Sequence, residues 1–315
     1  MSQPKFRLVT RSDFDGLVCA VLLRELGMVD DILFVHPKDM QDGKIEITSR
    51  DITTNLPYVA GAHLVFDHHL SETVRNTSQL GNHVIDAGAP SAARVVYEHF
   101  GGRATFPTIS DEMMAAVDQA DSAQYGIDDI LDPQGWTLLN FLMDARTGLG
   151  RFRSFGISNY QLMMRLIDDC RRLSIDEILE LPDVVERSTL FFEHQSRAAE
   201  QIRRCATVAG NVAILDLRAE ETIYAANRFL IYALFPRCNV SIHVMWGLKQ
   251  QNTVFAIGKS ILDRSSRTNV GELCLRYGGG GHRAAGTCQV PNARADKLLL
   301  EVVRAIHADE RTAVA

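Results

Sequence analysis

The strongest constraint on this chain is the alternation of strand and helix signals near its start, with acidic residues at strand ends. Phe6–Thr10 (FRLVT) predicts a buried strand, and Gly16–Leu26 (GLVCAVLLREL) predicts a helix ended by Gly27. Between them lies Arg11-Ser12-Asp13-Phe14-Asp15-Gly16. Ile32–His36 predicts a second strand and Lys44–Thr48 a weaker one; Ala62–Phe66 (AHLVF) is a further strand running directly into Asp67-His68-His69. Ser91–Phe100 predicts a helix capped by Ser91, just after Pro90. Strands alternating with helices imply βαβ units and a largely parallel sheet. Such sheets bind ligands outside the carboxyl ends of their strands, where the acidic clusters of this sequence fall.

Beyond residue 110 the pattern changes. Ser110–Gly210 reads as mainly helical, with Val184–Arg204 as a connecting helix. Strand signals return at Asn211–Leu217, Asn239–Trp246 and Thr253–Gly258, with helical stretches at Ala225–Leu234 and Ala293–His307. A chain of 315 residues favours two domains. The boundary is placed near residue 200, giving an α/β domain over 1–200 and a smaller α/β domain with a mixed sheet over 201–315.

Charge narrows the function classes. With Lys+Arg 33 against Asp+Glu 39 the net charge is −6, which excludes a strongly basic nucleic-acid binder but not a local basic groove. The charge is uneven: Ala206–Ala315 holds 13 basic and 9 acidic residues, the preceding chain 20 and 30. That split suits metal binding in the first part and anion binding in the second, or ordinary uneven surfaces. The six cysteines show no C-x-x-C spacing, so no thiolate zinc site or disulfide framework is signalled. No apolar run is long enough to span a membrane, and the cytoplasm is the expected location.

Four groups of residues could carry chemistry. Asp13 and Asp15, two residues apart in a loop, can converge on a hard cation such as Mg²⁺ or Mn²⁺. The alternative is a solvated turn with Asp as a helix N-cap. Asp67-His68-His69 sets a carboxylate and two imidazoles at the sheet edge, one for a metal and one for a phosphate or a proton; a His pair can equally be polar surface. Asp51 precedes Asp67, while Asp118 and Asp121 share roughly one helix face. Finally, Tyr277-Gly278-Gly279-Gly280-Gly281-His282-Arg283 reads as an anion-gripping nest with His282 and Arg283 adding charge, or as a flexible hairpin. Gly258-Lys259-Ser260 is no P-loop, because Thr253 stands where its first glycine belongs.

In their order along the chain, D-x-D-G, Asp, D-H-H, Asp and G-G-G-H resemble the DHH phosphoesterase superfamily, with its C-terminal DHH-associated domain, from about Arg7 to Val290. That superfamily includes RecJ exonucleases, nanoRNases, cyclic-dinucleotide phosphodiesterases, manganese pyrophosphatases and exopolyphosphatases. The resemblance implies a DHH-like catalytic domain, a DHH-associated substrate domain and an active site in the cleft between them. It implies that Asp13, Asp15 and Asp121 (favoured over Asp118) ligate divalent metal, Mn²⁺ before Mg²⁺, with Asp51 bridging. His68 becomes a ligand, Asp67 orients it or joins the ligand set, and His69 faces the substrate phosphate. Pro90-Ser91-Ala92-Ala93 looks like the family's small-residue turn beside the site. Gly279, Gly280, Gly281 and His282 would hold the nucleotide or far phosphate with Arg283, and Arg267 or Arg264 would supply a substrate arginine.

One position departs from the pattern. Where the family places His or Asp two residues before the first Asp, this chain has Arg11, which stays protonated and cannot ligate a cation. That leaves two sparsely held ions, one well-held ion, or an arginine clamp on a substrate phosphate. The expected activity is metal-dependent phosphoester hydrolysis in short oligonucleotides or nucleotides. The alternatives are a polyphosphatase or pyrophosphatase and a non-catalytic nucleotide-binding regulator. A homodimer is compatible with the sequence, though nothing in it demands one.

Overall fold

The computed structural model describes residues 5–69, 72 and 80–311. The chain divides into two compact units. The first runs to Gln124 and adds Pro133–Ala145 and Leu149–Thr189; the second takes Tyr125–Asp132, Arg146–Gly148 and the chain from Leu190. The connecting helix, Pro182–Cys205, therefore contributes to both.

In the first unit, β1 (Phe6–Arg11), β2 (Val29–Val35), β3 (Asp51–Thr54), β4 (Leu64–Asp67) and β5 (His83–Ile85) form an all-parallel sheet in the order β2-β1-β3-β4-β5. The helices include α1 (Phe14–Glu25), α2 (Pro37–Gln41), α3 (Ala92–His99) and α4 (Asp111–Asp121). Ten of the twelve residues of α1 are buried, so it is a core helix, not an amphipathic one. It starts two residues earlier than Gly16, because Asp13 serves as its N-cap and accepts a hydrogen bond from Gly16 N at 3.0 Å.

One expected strand is displaced, and β5 and three strands of the second sheet (Ala206–Ala209, Gly280–His282 and Ala285–Val290) were not expected. Lys44–Thr48 is not a strand; the strand is Asp51–Thr54, central in the sheet and buried along its whole length. Thr54 Oγ1 donates to Thr10 Oγ1 at 2.7 Å, whereas Thr53 Oγ1 is buried with no hydrogen-bond partner among the described residues. Parallel strands covered on both faces do not alternate in polarity, and three polar residues in four hid this one. The register sets Arg7 beside Asp51 and Thr10 beside Thr54. Arg11, Thr54 and Asp67 thus end their strands at the carboxyl edge, and Asp51 begins β3 at the amino edge.

The second unit holds a six-stranded mixed sheet. Its strands are β6 (Ala206–Ala209), β7 (Val212–Asp216), β8 (Val240–Trp246), β9 (Thr253–Lys259), β10 (Gly280–His282) and β11 (Ala285–Val290), in the order β10-β11-β9-β8-β7-β6. Only β7 and β8 pair in parallel. Ala225–Leu234 is helical only over Leu230–Leu234. The core joins Val240, Ile242 and Phe255 of the sheet to Leu298, Val302 and Ile306 of the last helix, Ala295–Arg311, at helical spacing. No helix among the described residues is long and apolar enough to cross a membrane.

Candidate metal centre

The carboxyl edge of the parallel sheet gathers three ligand-type side chains from three places in the sequence. Asp15 lies in the first turn of α1, His68 just beyond β4 and Asp121 at the end of α4. One ligand atom from each lies within 4.8 Å of the others. Asp15, only 2% exposed, accepts hydrogen bonds from Ala93 N at 2.7 Å and Ala92 N at 3.0 Å, the first amides of α3. Ser91 fixes that helix start by accepting from Arg94 N at 3.0 Å. A helix N-terminus is a favourable seat for a carboxylate.

His68 is set by its other nitrogen. Nδ1 lies 3.2 Å from the carbonyl oxygen of Ala89, which can only accept, so the ring proton belongs on Nδ1 and Nε2 turns to the acids. Nε2 lies 2.9 Å from Asp121 Oδ2, yet without hydrogen-bond alignment.

Electrostatics at this point call for positive charge. Burial holds the Asp15 carboxyl well above the usual carboxylate range; Asp121 and Asp13 reinforce this, outweighing His68 and the Ala93 amide. Burial disfavours the His68 cation, but Asp121, Asp15 and the Ala89 carbonyl push its pKa up to about 9. Burial also acts to raise Asp121, and His68 overrides it, holding that carboxyl below its ordinary value. Beside the triad, Asp67 Oδ2 and Asn55 Oδ1 are buried with no hydrogen-bond partner among the described residues. Buried oxygens left unsatisfied are costly. A hard divalent cation suits this donor set, and the imidazole beside two carboxylates favours Mn²⁺ over Mg²⁺.

The remaining expected residues divide sharply. Asp67, fully buried, holds His69 and not His68: its Oδ1 lies 2.7 Å from His69 Nδ1. Asp67 lies outside the ligand triad. Asp13 also lies outside it: Oδ1 caps α1 and receives Asn55 Nδ2 at 3.3 Å, while Oδ2 pairs with Arg11 Nε at 2.9 Å.

Asp51 is a correction. It sits at the amino edge, paired with Arg7 (Nε–Oδ1 2.7 Å) and accepting from Thr48 N at 2.7 Å, so it cannot bridge ions at the opposite edge. Three residues of strand separate it from Thr54, roughly 10 Å. Asp118 is occupied by Arg94 (Nη2–Oδ2 2.6 Å) and by Ser91, whose Oγ donates to it at 2.7 Å. Ser91 thus caps α3 and braces Asp118; its expected substrate-binding role remains a proposal.

In the second unit, the glycine run is an edge strand and hairpin. A Cβ on Gly279 would lie 2.1 Å from Thr287 O, and one on Gly281, whose φ is +155, would lie 2.3 Å from Ala285 O. Close packing accounts for these glycines, and Gly280–His282 has strand geometry, not that of a nest. His282 and Arg283 are exposed at the hairpin tip. Arg267 is exposed, its amide donating to Glu310 Oε1 at 3.1 Å, and Arg264 Nε reaches Ile261 O at 3.3 Å. Tyr277 packs against the core.

Asn55 escaped the sequence reading, as did the role of the Ala92 and Ala93 amides. The Ser91 cap was the legible sign of the amides. Lys259 donates to Thr268 O at 3.0 Å, and burial and then Arg283 hold its pKa down, which places it beside the hairpin arginine.

A parallel sheet carrying an Asp-His-Asp triad at its carboxyl edge, D-x-D-G and D-H-H at two strand ends, and a G-G-G-H hairpin on a separate mixed sheet define a DHH phosphoesterase. The chain belongs to that superfamily and is a hydrolase acting on phosphoester bonds, not a non-catalytic relative. It is similar to the pGpG-specific phosphodiesterase PggH from Vibrio cholerae, with 63% identity and a TM-score of 0.85, over 97% of this chain and 100% of that one. An exopolyphosphatase-related protein from Bacteroides fragilis shares the fold at 11% identity, with a TM-score of 0.53 over 96% of this chain and 92% of that one. No family model and no curated protein matches the chain.

Proposed function

We propose that this protein hydrolyses the phosphodiester of a short 5′-phosphorylated dinucleotide of the pGpG type, adding one water to give two nucleoside monophosphates. The observation that carries the reading is the Asp15-His68-Asp121 triad at the carboxyl edge of the sheet, built around the buried Asp15. The similarity to PggH supports the choice of substrate.

Asp15, His68 and Asp121 would hold the divalent cation, with Mn²⁺ as the favoured ion. When bound, such an ion neutralises charge on phosphoryl oxygens and makes water a better nucleophile. Asp67 orients His69 through Nδ1, and His69 would act on the phosphate or its leaving oxygen. In the second unit, the Gly279–Gly281 hairpin with His282 and Arg283, together with Arg267, would bind the nucleotide part. Guanidinium groups suit phosphate and base edges alike.

The test is a product assay in Mn²⁺ on pGpG, pApA, tri- to pentanucleotides, 3′-phosphoadenosine 5′-phosphate, pyrophosphate and polyphosphate. The expected result is a kcat/KM for pGpG at least about 10-fold above every other substrate. His68→Ala should lower turnover by about 10³-fold or more. Equal or faster release of phosphate from polyphosphate would sink the reading, as would full activity of His68→Ala.

A further inference from the structure

Two-metal hydrolases need an anionic ligand shared by both ions and a second set of donors beside it. We propose that this centre holds a single divalent cation, on Asp15, His68 and Asp121, and that the Arg11 guanidinium takes the place of a second. The inference rests on the reading of that triad as the metal site and goes beyond it.

The argument starts at Asp13, the carboxylate around which a second ion would have to assemble. Both of its oxygens are engaged. Oδ1 accepts from Gly16 N at 3.0 Å, closing the first turn of α1, and from Asn55 Nδ2 at 3.3 Å. Oδ2 pairs with Arg11 Nε at 2.9 Å. The first bond belongs to the helix start and cannot be surrendered without fraying α1. The last comes from a group that keeps its charge at every accessible pH. A cation approaching Asp13 would meet a fixed cation already there, and the repulsion of two such charges in a partly buried site is large.

Nor is there an anion to bridge. At the carboxyl end of β3, beside Asp13, the chain has neutral Asn55, 1% exposed and with its amide nitrogen turned to Asp13. Asp51 is at the far edge of the sheet, on Arg7. Asp118 is taken by Arg94 and Ser91. Asp67 gives one oxygen to His69. That leaves Asp67 Oδ2 and the Asn55 carbonyl oxygen as buried oxygens without hydrogen-bond partners near the triad. One carboxylate oxygen and one amide do not make a second site next to a guanidinium.

The test counts ions and does not use turnover. The metal-stripped full chain is titrated with Mn²⁺ alone by calorimetry, and bound manganese is measured after gel filtration. One Mn²⁺ per chain is expected, with a low-temperature electron paramagnetic resonance spectrum of isolated Mn²⁺ and no spin-coupled features. Two ions per chain with a coupled spectrum would overturn the inference and leave the triad reading intact. No bound ion in the wild type, or one ion still bound in His68→Ala, would remove the triad reading and this inference with it. The double variant Arg11→Asp, Asn55→Asp should bind two Mn²⁺ per chain. A count of one in that variant, with circular dichroism showing it folded, would overturn the assignment to Arg11. If the variant does not fold, the wild-type count and spectrum decide.

Discussion

Asp67 is fully buried, with one oxygen 2.7 Å from His69 and the other lacking a hydrogen-bond partner. A carboxylate kept in such a position is there for the groups it holds. Asp67→Asn keeps the volume, but its amide can present a donor to His69 Nδ1 and so impose the wrong tautomer. The expected effect is a fall in kcat of about 10²–10⁴-fold, with KM changed little, by analogy with other buried carboxylate–histidine pairs. Steady-state assays on pGpG check this, and a kcat within twofold of wild type would count against any role for His69. At this scale the sequence was informative about which residues matter and less so about who holds whom. Asp67-His68-His69 stood out at once, but Asp67 pairs with His69 alone, although the two imidazole ring centres lie 4.6 Å apart. The partner of His68 is the carbonyl of Ala89, and no residue type announces a main-chain oxygen.

At the scale of elements, the junction of β1 and α1 governs the site. A Cβ on Gly16 would lie 2.0 Å from Arg11 O, a clash with backbone that no side-chain movement relieves. Gly16→Ala should therefore cost about 2–4 kcal/mol of stability in urea unfolding, or leave no folded protein. An unchanged midpoint would show that the turn has room the structure denies it. D-x-D-G was legible here, and so was the alternative of an N-cap. Both readings apply, one to each acid: Asp13 caps the helix and Asp15 joins the triad. The glycine run carries a second demand. Four glycines in a row look like a loop shaped for an anion, but at Gly279 and Gly281 contacts with Thr287, Cys288 and Ala285 across a hairpin require glycine as well. Tertiary contacts of that kind have no local signature. Strand β3 was missed for a similar reason, because Asp51 and Thr54 find partners on a neighbouring strand more than forty residues away in sequence.

At the scale of the whole molecule, the two units should respond to acid for different reasons. In the second, His243 lies within β8, and burial pushes its pKa down to about 4 from an ordinary 6.5. The folded value is depressed, so the stabilisation is complete above about pH 6.5 and is lost as pH falls toward 4. The loss is up to about 3 kcal/mol, less whatever solvent screening removes. Thermal melts of wild type and His243→Gln between pH 7 and 4.5 test this. The variant should show the shallower decline, and parallel curves would rule His243 out as the cause. The sequence placed two α/β halves correctly in kind, a parallel sheet followed by a mixed one. It gave no sign that the path of the chain passes from one unit to the other five times, with Tyr125–Asp132 and Arg146–Gly148 belonging to the second. Those short segments are integral there: Ile130 O accepts from Asn227 Nδ2 at 2.8 Å, and Thr147 O from Ala226 N at 3.1 Å. A gene fragment starting at residue 190 or 201 would encode a second unit missing two of its own pieces. Recombination at a single breakpoint could not pass either half intact to another protein, so both are bound to be inherited together.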